Sequence, residues 1–161
     1  MSALNHPLNH SFRISSLDYI DCIATLHPGT IVYADPPYSS VHYSRFYHVL
    51  ETLVRYDHPK LEYKGRYRDG RYQSPFDQKS CVGDAFMRLF TAIKDKECHL
   101  LLSYSDNALL PEKQLQEIAE KCLGSNYSVT RYSRDYHHMK MGRADESHLD
   151  VHELLIAYKR L

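Results

Sequence analysis

The chain has 161 residues, with 20 Lys and Arg against 20 Asp and Glu. That length holds one domain, residues 1–161, with room for a hydrophobic core. A formal net charge of zero excludes a global field that draws in nucleic acid, so such binding has to rest on a local patch. No apolar run reaches membrane length, and the first residues carry no signal-peptide pattern. Cys22, Cys81, Cys98 and Cys122 are far apart with no Cys-x-x-Cys pair. They fit the reduced thiols of a cytoplasmic protein better than a disulfide frame or a zinc site.

In chain order, Ser16 to Leu26 places Leu17, Ile20, Ile23 and Ala24 at helical spacing before a Pro28-Gly29 stop. Thr30 to Ala34 is a short apolar run and reads as a buried strand. Tyr43 to Tyr56 reads as a helix with Phe46, Val49, Leu50, Leu53 and Val54 on one side. Residues 57–80 read as a loop, unusually basic and aromatic. Val82 to Lys94 is a second amphipathic helix, His99 to Tyr104 a buried strand, and Pro111 to Leu123 a helix that ends at Gly124, where a left-handed cap is expected. Tyr127 to Tyr136 and Asp150 to Tyr158 alternate as two final strands, a candidate hairpin with a long loop. The expected fold is an α/β sheet, mostly parallel with an antiparallel last strand, flanked by helices.

Residues 31–38 read Ile-Val-Tyr-Ala-Asp-Pro-Pro-Tyr. The prolines end strand pairing and stiffen the backbone, so Asp35 and Tyr38 are held at the carboxyl end of a strand. Open α/β sheets place their ligands there. Asp35-Pro36-Pro37-Tyr38 resembles the fourth motif of the S-adenosylmethionine-dependent, amino-methylating DNA methyltransferases. Tyr43 and Tyr47-His48-Val49-Leu50-Glu51-Thr52 resemble the segment after that motif in one bacterial branch of DNA adenine methylases. Ser74-Pro75-Phe76 and Leu101-Leu102-Ser103-Tyr104-Ser105 resemble the same branch further on.

The resemblance implies a partial Rossmann-like methyltransferase sheet and transfer of methyl from S-adenosylmethionine to adenine N6 in DNA, as in restriction–modification systems. The residues suit that chemistry. Hydrogen bonds accepted from both amino N–H groups localise the nitrogen lone pair, and the Asp35 carboxylate and the Pro36 carbonyl are acceptors. Tyr38 is placed to stack on a base drawn out of the duplex. Positioning supplies most of the catalysis in a direct displacement, with no covalent intermediate; none of the four cysteines follows a proline. A rigid turn after a strand is the plain alternative for the motif.

The family also uses a Gly-rich turn, usually Phe-x-Gly-x-Gly, to approach the cofactor. None of the six glycines lies in a Gly-x-Gly. The chain therefore reads as the catalytic-motif, carboxyl-terminal half of such an enzyme. Phe12 to Asp18 resembles the end of the third strand, where an acid contacts the cofactor's adenine; Asp18 matches that acid, or is simply a helix-start carboxylate. In the complete fold the motif strand lies in mid-sheet. Here Ile31, Val32 and Tyr33 are expected at an apolar edge, which invites pairing with another chain: a complementary subunit that supplies the cofactor-binding half, or a second copy. A truncated product of poor solubility is the remaining expectation.

Residues 55–73 interleave Arg55, Lys60, Lys64, Arg66, Arg68 and Arg71 with Tyr56, Tyr63, Tyr67 and Tyr72. Such cations neutralise phosphates while the tyrosines stack on bases; Asp57, Glu62 and Asp69 dilute the charge, and a solvated loop is the alternative. The segment 57–80 is expected to face DNA, with Tyr43, Arg45, His48, Lys64, Arg66, Arg68 and Arg71 as contacts. Arg131, Arg134, Lys140 and Arg143, with His137 and His138, form a smaller second group. His148 and His152 lack a completing carboxylate or cysteine, so scattered histidines are preferred to a metal site. Two other functions stay open: an RNA adenine or guanine amino-methyltransferase, and a non-catalytic remnant that binds nucleic acid or a partner.

Overall fold

A computed structural model of the chain describes residues 11–37, 44–138 and 149–161, and the side chains of all of these except 45–46, 135–138 and 149–151. Tyr38, Tyr43, Lys140, Arg143 and His148, and the side chains of Arg45, His137 and His138, lie outside the described set.

Among the described residues four α-helices and six strands follow one another: α1 (Tyr19–Ala24), β1 (Ile31–Ala34), α2 (Ser44–Arg55), β2 (Leu61–Glu62), β3 (Tyr67–Arg68), α3 (Val82–Asp95), β4 (His99–Ser105), α4 (Glu112–Leu123), β5 (Tyr127–His138) and β6 (Leu149–Arg160). The main sheet has the order β1-β4-β6-β5. β1 is parallel to β4, from Ile31 beside His99 to Ala34 beside Leu102. β6 runs antiparallel to both β4 and β5. Three strands thus share a direction and the last is reversed, as expected. β2 and β3 form a separate small hairpin that alternation of side chains did not signal.

β4 alternates because only one face of the sheet is deeply covered. Leu100, Leu102 and Tyr104 are buried, and so are their β6 neighbours Leu154, Ile156 and Tyr158. They join Phe86, Leu89, Phe90 and Ile93 of α3, Leu115, Ala119 and Leu123 of α4, and Ile23 of α1 in one core. The rings form an edge-to-face chain: Tyr19 on Phe76, Phe76 on Phe86, Phe86 on Tyr104, and Phe90 on Tyr158, with centroids 5.0–5.6 Å apart. Each such contact adds about 0.5–1.5 kcal/mol beyond simple burial. The opposite face of the sheet carries Tyr33, Leu101, Leu155 and Ala157 in register, and its apolar side chains are only partly covered.

The helix ends follow local chemistry. The Asp18 carboxylate accepts from the Ile20 backbone N–H at 3.0 Å and starts α1. α3 closes with Cys98 N–H on Ile93 O at 3.0 Å and Glu97 N–H on Lys94 O at 2.9 Å. Glu97 sits between them at φ 52°, the left-handed position of a Schellman cap. α4 ends at Gly124, φ 63°, where the sequence places its stop.

Candidate active site

β1 and β4 run side by side as far as Ala34 and Leu102, and the motif leaves the carboxyl end of β1 while β4 continues to Ser105. Asp35 is exposed there while Pro36 is buried, so the proline anchors the turn and the acid faces outward. Beside them is a largely apolar cavity of about 250 Å³, bounded by α1, β1, Asp35, Pro36, Phe76 and Leu89. Its β1 lining includes Val32 and Ala34 from one face and Tyr33 from the other, so it lies along the strand edge that has no ladder partner among the described strands.

Tyr19 and Phe76 give this cavity an aromatic wall. The Tyr19 hydroxyl donates to Ala85 O at 3.3 Å, and its ring meets Phe76 edge-on at 5.2 Å. Burial pushes the Tyr19 phenol up from 10.0, opposed by the Arg88 guanidinium 5.8 Å from the ring centre. Ser74 caps the 3-10 turn Pro75–Asp77 by accepting from Phe76 N–H at 3.3 Å, which fixes Phe76 in place. Asp18 is occupied at the α1 N-cap, the helix-start role that competes with a cofactor contact.

The hairpin gives the basic segment a shape. Leu61 pairs with Arg68 and Glu62 with Tyr67, and the turn between them holds Tyr63, Lys64 and Gly65 at φ 51°, 61° and 81°. Lys64 and Arg66 are exposed. The Arg71 guanidinium stacks 3.9 Å from the Tyr67 ring centre, and Tyr63 meets Tyr67 edge-on at 5.6 Å. His48 of α2 lies against this segment, lining a polar cleft with Glu51, Arg55, Arg68 and Arg71.

Arg68 departs from the expected set of DNA-facing cations. It is 8 % exposed, and its donors are used internally by Asp57 at 2.8 and 2.5 Å and by Thr52 Oγ1 at 2.9 Å. The sequence flagged its charge but not these partners, because a salt bridge across a turn leaves no periodic signature. Tyr19 carries no sequence signal for its place in the aromatic wall. In the second basic group, Arg131 is exposed and paired with Glu112 at 2.7 Å, and Arg134 is exposed.

A parallel strand pair whose first strand ends in an exposed acid followed by two prolines, with a reversed final strand in the same sheet, defines a methyltransferase-like α/β protein. The family model for D12 class N6 adenine-specific DNA methyltransferases matches residues 1–96, more than half of the chain, and the chain belongs to that family. It is 40 % identical over 93 residues to the modification methylase LlaI of Lactococcus lactis subsp. lactis, a match that covers 58 % of this chain and 15 % of the relative. It is 31 % identical over 152 residues to the type II methyltransferase M.FokI of Planomicrobium okeanokoites, covering 94 % and 22 %. With the type II methyltransferase M.NlaIII of Neisseria lactamica it shares 32 % over 108 residues, covering 66 % and 31 %. The chain thus spans less than a third of the length of each of these relatives. No solved structure gives a significant match.

Proposed function

We propose that the chain carries the methyl-transfer centre of a site-specific DNA methyltransferase that acts on adenine N6. The observation that carries this reading is the exposed Asp35 on a buried Pro36 at the carboxyl end of β1, in a chain of this family. The Asp35 carboxylate accepts one amino N–H of the target adenine and the Pro36 carbonyl accepts the other. The nitrogen lone pair is then directed at the incoming methyl group, and the carboxylate lies where the amino proton must leave. Tyr38 holds the extruded base by stacking.

The cofactor is S-adenosylmethionine. The cavity beside Asp35 fits an adenosyl group, being apolar with the Tyr19 and Phe76 rings in its wall; these residues would hold it, with Asp18 a weaker candidate because it caps α1. When bound, that cofactor supplies a methyl group on a sulfonium, which leaves as a neutral thioether. Lys64, Arg66 and Arg71 of segment 57–80, with His48 of α2 beside them, form the nucleic-acid face. The absence of any Gly-x-Gly from the sequence and the edge of β1 that has no ladder partner among the described strands support a second requirement, a complementary polypeptide or second copy alongside β1. A cytoplasmic location accords with four free cysteines, Cys22, Cys81, Cys98 and Cys122.

The test is transfer of labelled methyl groups to duplex DNA, with structured RNA in parallel. With that companion present, or at a concentration where the chain pairs with itself, duplex DNA is expected to accept label and the Asp35→Ala variant to lose at least ~100-fold in rate, as removal of a group that acts in the transition state does. Its circular dichroism should stay that of the wild type, because Asp35 is exposed. Persistent methylation by Asp35→Ala would remove the acid from the mechanism, and label on RNA alone would move the substrate to RNA.

A further inference from the structure

One guanidinium joins three segments. Arg68, in β3, donates from both terminal nitrogens to both oxygens of Asp57, just past α2, and from Nη1 to Thr52 Oγ1 inside α2. Thr52 Oγ1 in turn donates to His48 O at 2.7 Å. A two-point bridge to a carboxylate with a third bond to a hydroxyl fixes orientation as well as distance. On the other side of the hairpin the backbone closes through Asp69 N–H on Lys60 O at 2.8 Å. Two-residue strands do not hold themselves together in water, and Tyr63 and Lys64 both adopt the left-handed backbone that L-residues avoid. The hairpin therefore owes its place to what pins its base. That base is α2, which starts at Ser44, shortly after the motif.

We propose that Arg68 is a positioning residue for nucleic-acid binding: held by Asp57 and Thr52, it fixes the 61–68 hairpin on α2 so that Lys64 and Arg66 meet backbone phosphates of the bound duplex. The proposal rests on reading segment 57–80 as the DNA-facing surface and gives its buried arginine a different task from its exposed cations. The Asp57 carboxylate is part of that cationic surface because of what it holds.

The two roles for Arg68 predict opposite signs. Replacing Asp57 by Asn removes a negative charge near the phosphates and releases Arg68. If Arg68 were itself a phosphate contact, binding would tighten. If Arg68 positions the hairpin, binding weakens although the surface has become more positive.

The experiment is fluorescence anisotropy of a labelled adenine-containing duplex with the full chain, well below the unfolding temperature and with folding checked by circular dichroism. Asp57→Asn is expected to weaken binding about tenfold. Thr52→Val, which changes no charge and nearly conserves volume, should weaken it about threefold. Asp57→Glu, which keeps the carboxylate, should recover most of the loss. Replacing Lys64 and Arg66 by Ala should lower the salt dependence by about two phosphate contacts. Unchanged or tighter binding by Asp57→Asn overturns the positioning role. If Asp57→Asn does not fold, Thr52→Val decides by the same criterion. A wild-type chain that does not bind the duplex overturns the DNA-facing reading instead, and the proposal with it, an outcome distinct from a failure of the variants alone.

Discussion

Asp57 sits among cations, and that neighbourhood sets its acidity. The hydrogen bonds from Arg68 come first, and the charges of Arg68 and Arg55 add to them, so the carboxyl is held below its ordinary 3.8. A carboxyl with a depressed folded pKa contributes stability that is fully present above the unfolded value and is lost as pH falls through the lower folded value. Hairpin order should therefore be constant from neutral pH down to about 4 and fall in stronger acid. Proteolysis or hydrogen exchange at residues 61–68 reads it directly. The diagnostic quantity is the difference between wild type and Asp57→Asn. The variant should show a looser hairpin at neutral pH and no further transition attributable to this site. A wild-type hairpin that loosens already near neutral pH would place its control elsewhere.

At the scale of elements, the end of α3 shows a local rule broken and repaired. Its left-handed cap position, where glycine is usual, holds Glu97, whose carboxylate meets Arg160 at 2.5 Å. Left-handed backbone costs an L-residue roughly 1–2 kcal/mol, while a partly exposed ion pair returns about 0–1 kcal/mol. Glu97→Gly is therefore expected to stabilise the chain by about 0.5 kcal/mol, or roughly 1–2 °C in Tm, measured by thermal denaturation. A fall in Tm would mean that the link from α3 to β6 through Arg160 outweighs the backbone relief. The same cap explains why helix and strand were both legible here. Periodicity marks α3 to within a residue of its end, and the buried alternation of β4 resumes two residues after the cap.

Elements were harder to read where tertiary contacts override local pattern. Alternation identified β5 and β6, and the Pro-Pro stop identified β1, because each signal belongs to the element itself. The hairpin reads as a loop in the sequence because its strands are two residues long and its turn, Tyr63-Lys64-Gly65-Arg66, carries no Asn-Gly or Asp-Gly signal. For α2 the pattern of side chains was legible but not which side is covered. Its polar residues His48, Glu51 and Thr52 are half-buried against the hairpin segment, whereas Val49, Leu50, Leu53 and Val54 are more than half exposed, Val54 by 86 %. A hydrophobic stripe shows that a helix has an apolar face, not that the same chain covers it. The motif was the legible part of the site. The Tyr19 and Phe76 wall was not, since it joins residues far apart in sequence.

The whole molecule leaves apolar surface where a second polypeptide can meet it. β1 ends the sheet order with Ile31 66 % and Tyr33 62 % exposed, and its outer backbone row has no ladder partner among the described strands. An apolar edge without charges or bulges is a template for strand pairing, and the apolar stripe of α2 adds to the uncovered area. Left alone in solution, the chain should therefore self-associate in a concentration-dependent way, and sedimentation velocity is the direct measure. Lysine at both Ile31 and Tyr33 places charges along the edge while leaving Val32 and Ala34, on the covered face, in the core. That variant should sediment as a smaller species with an unchanged far-UV spectrum. The same lysines should also weaken capture of any companion that completes methylation activity, because both events use one edge. A wild-type chain that stays monomeric at high concentration would show that this edge does not drive association. A variant that associates as the wild type does would shift the contact to the exposed face of α2, where Leu53→Glu makes the equivalent test.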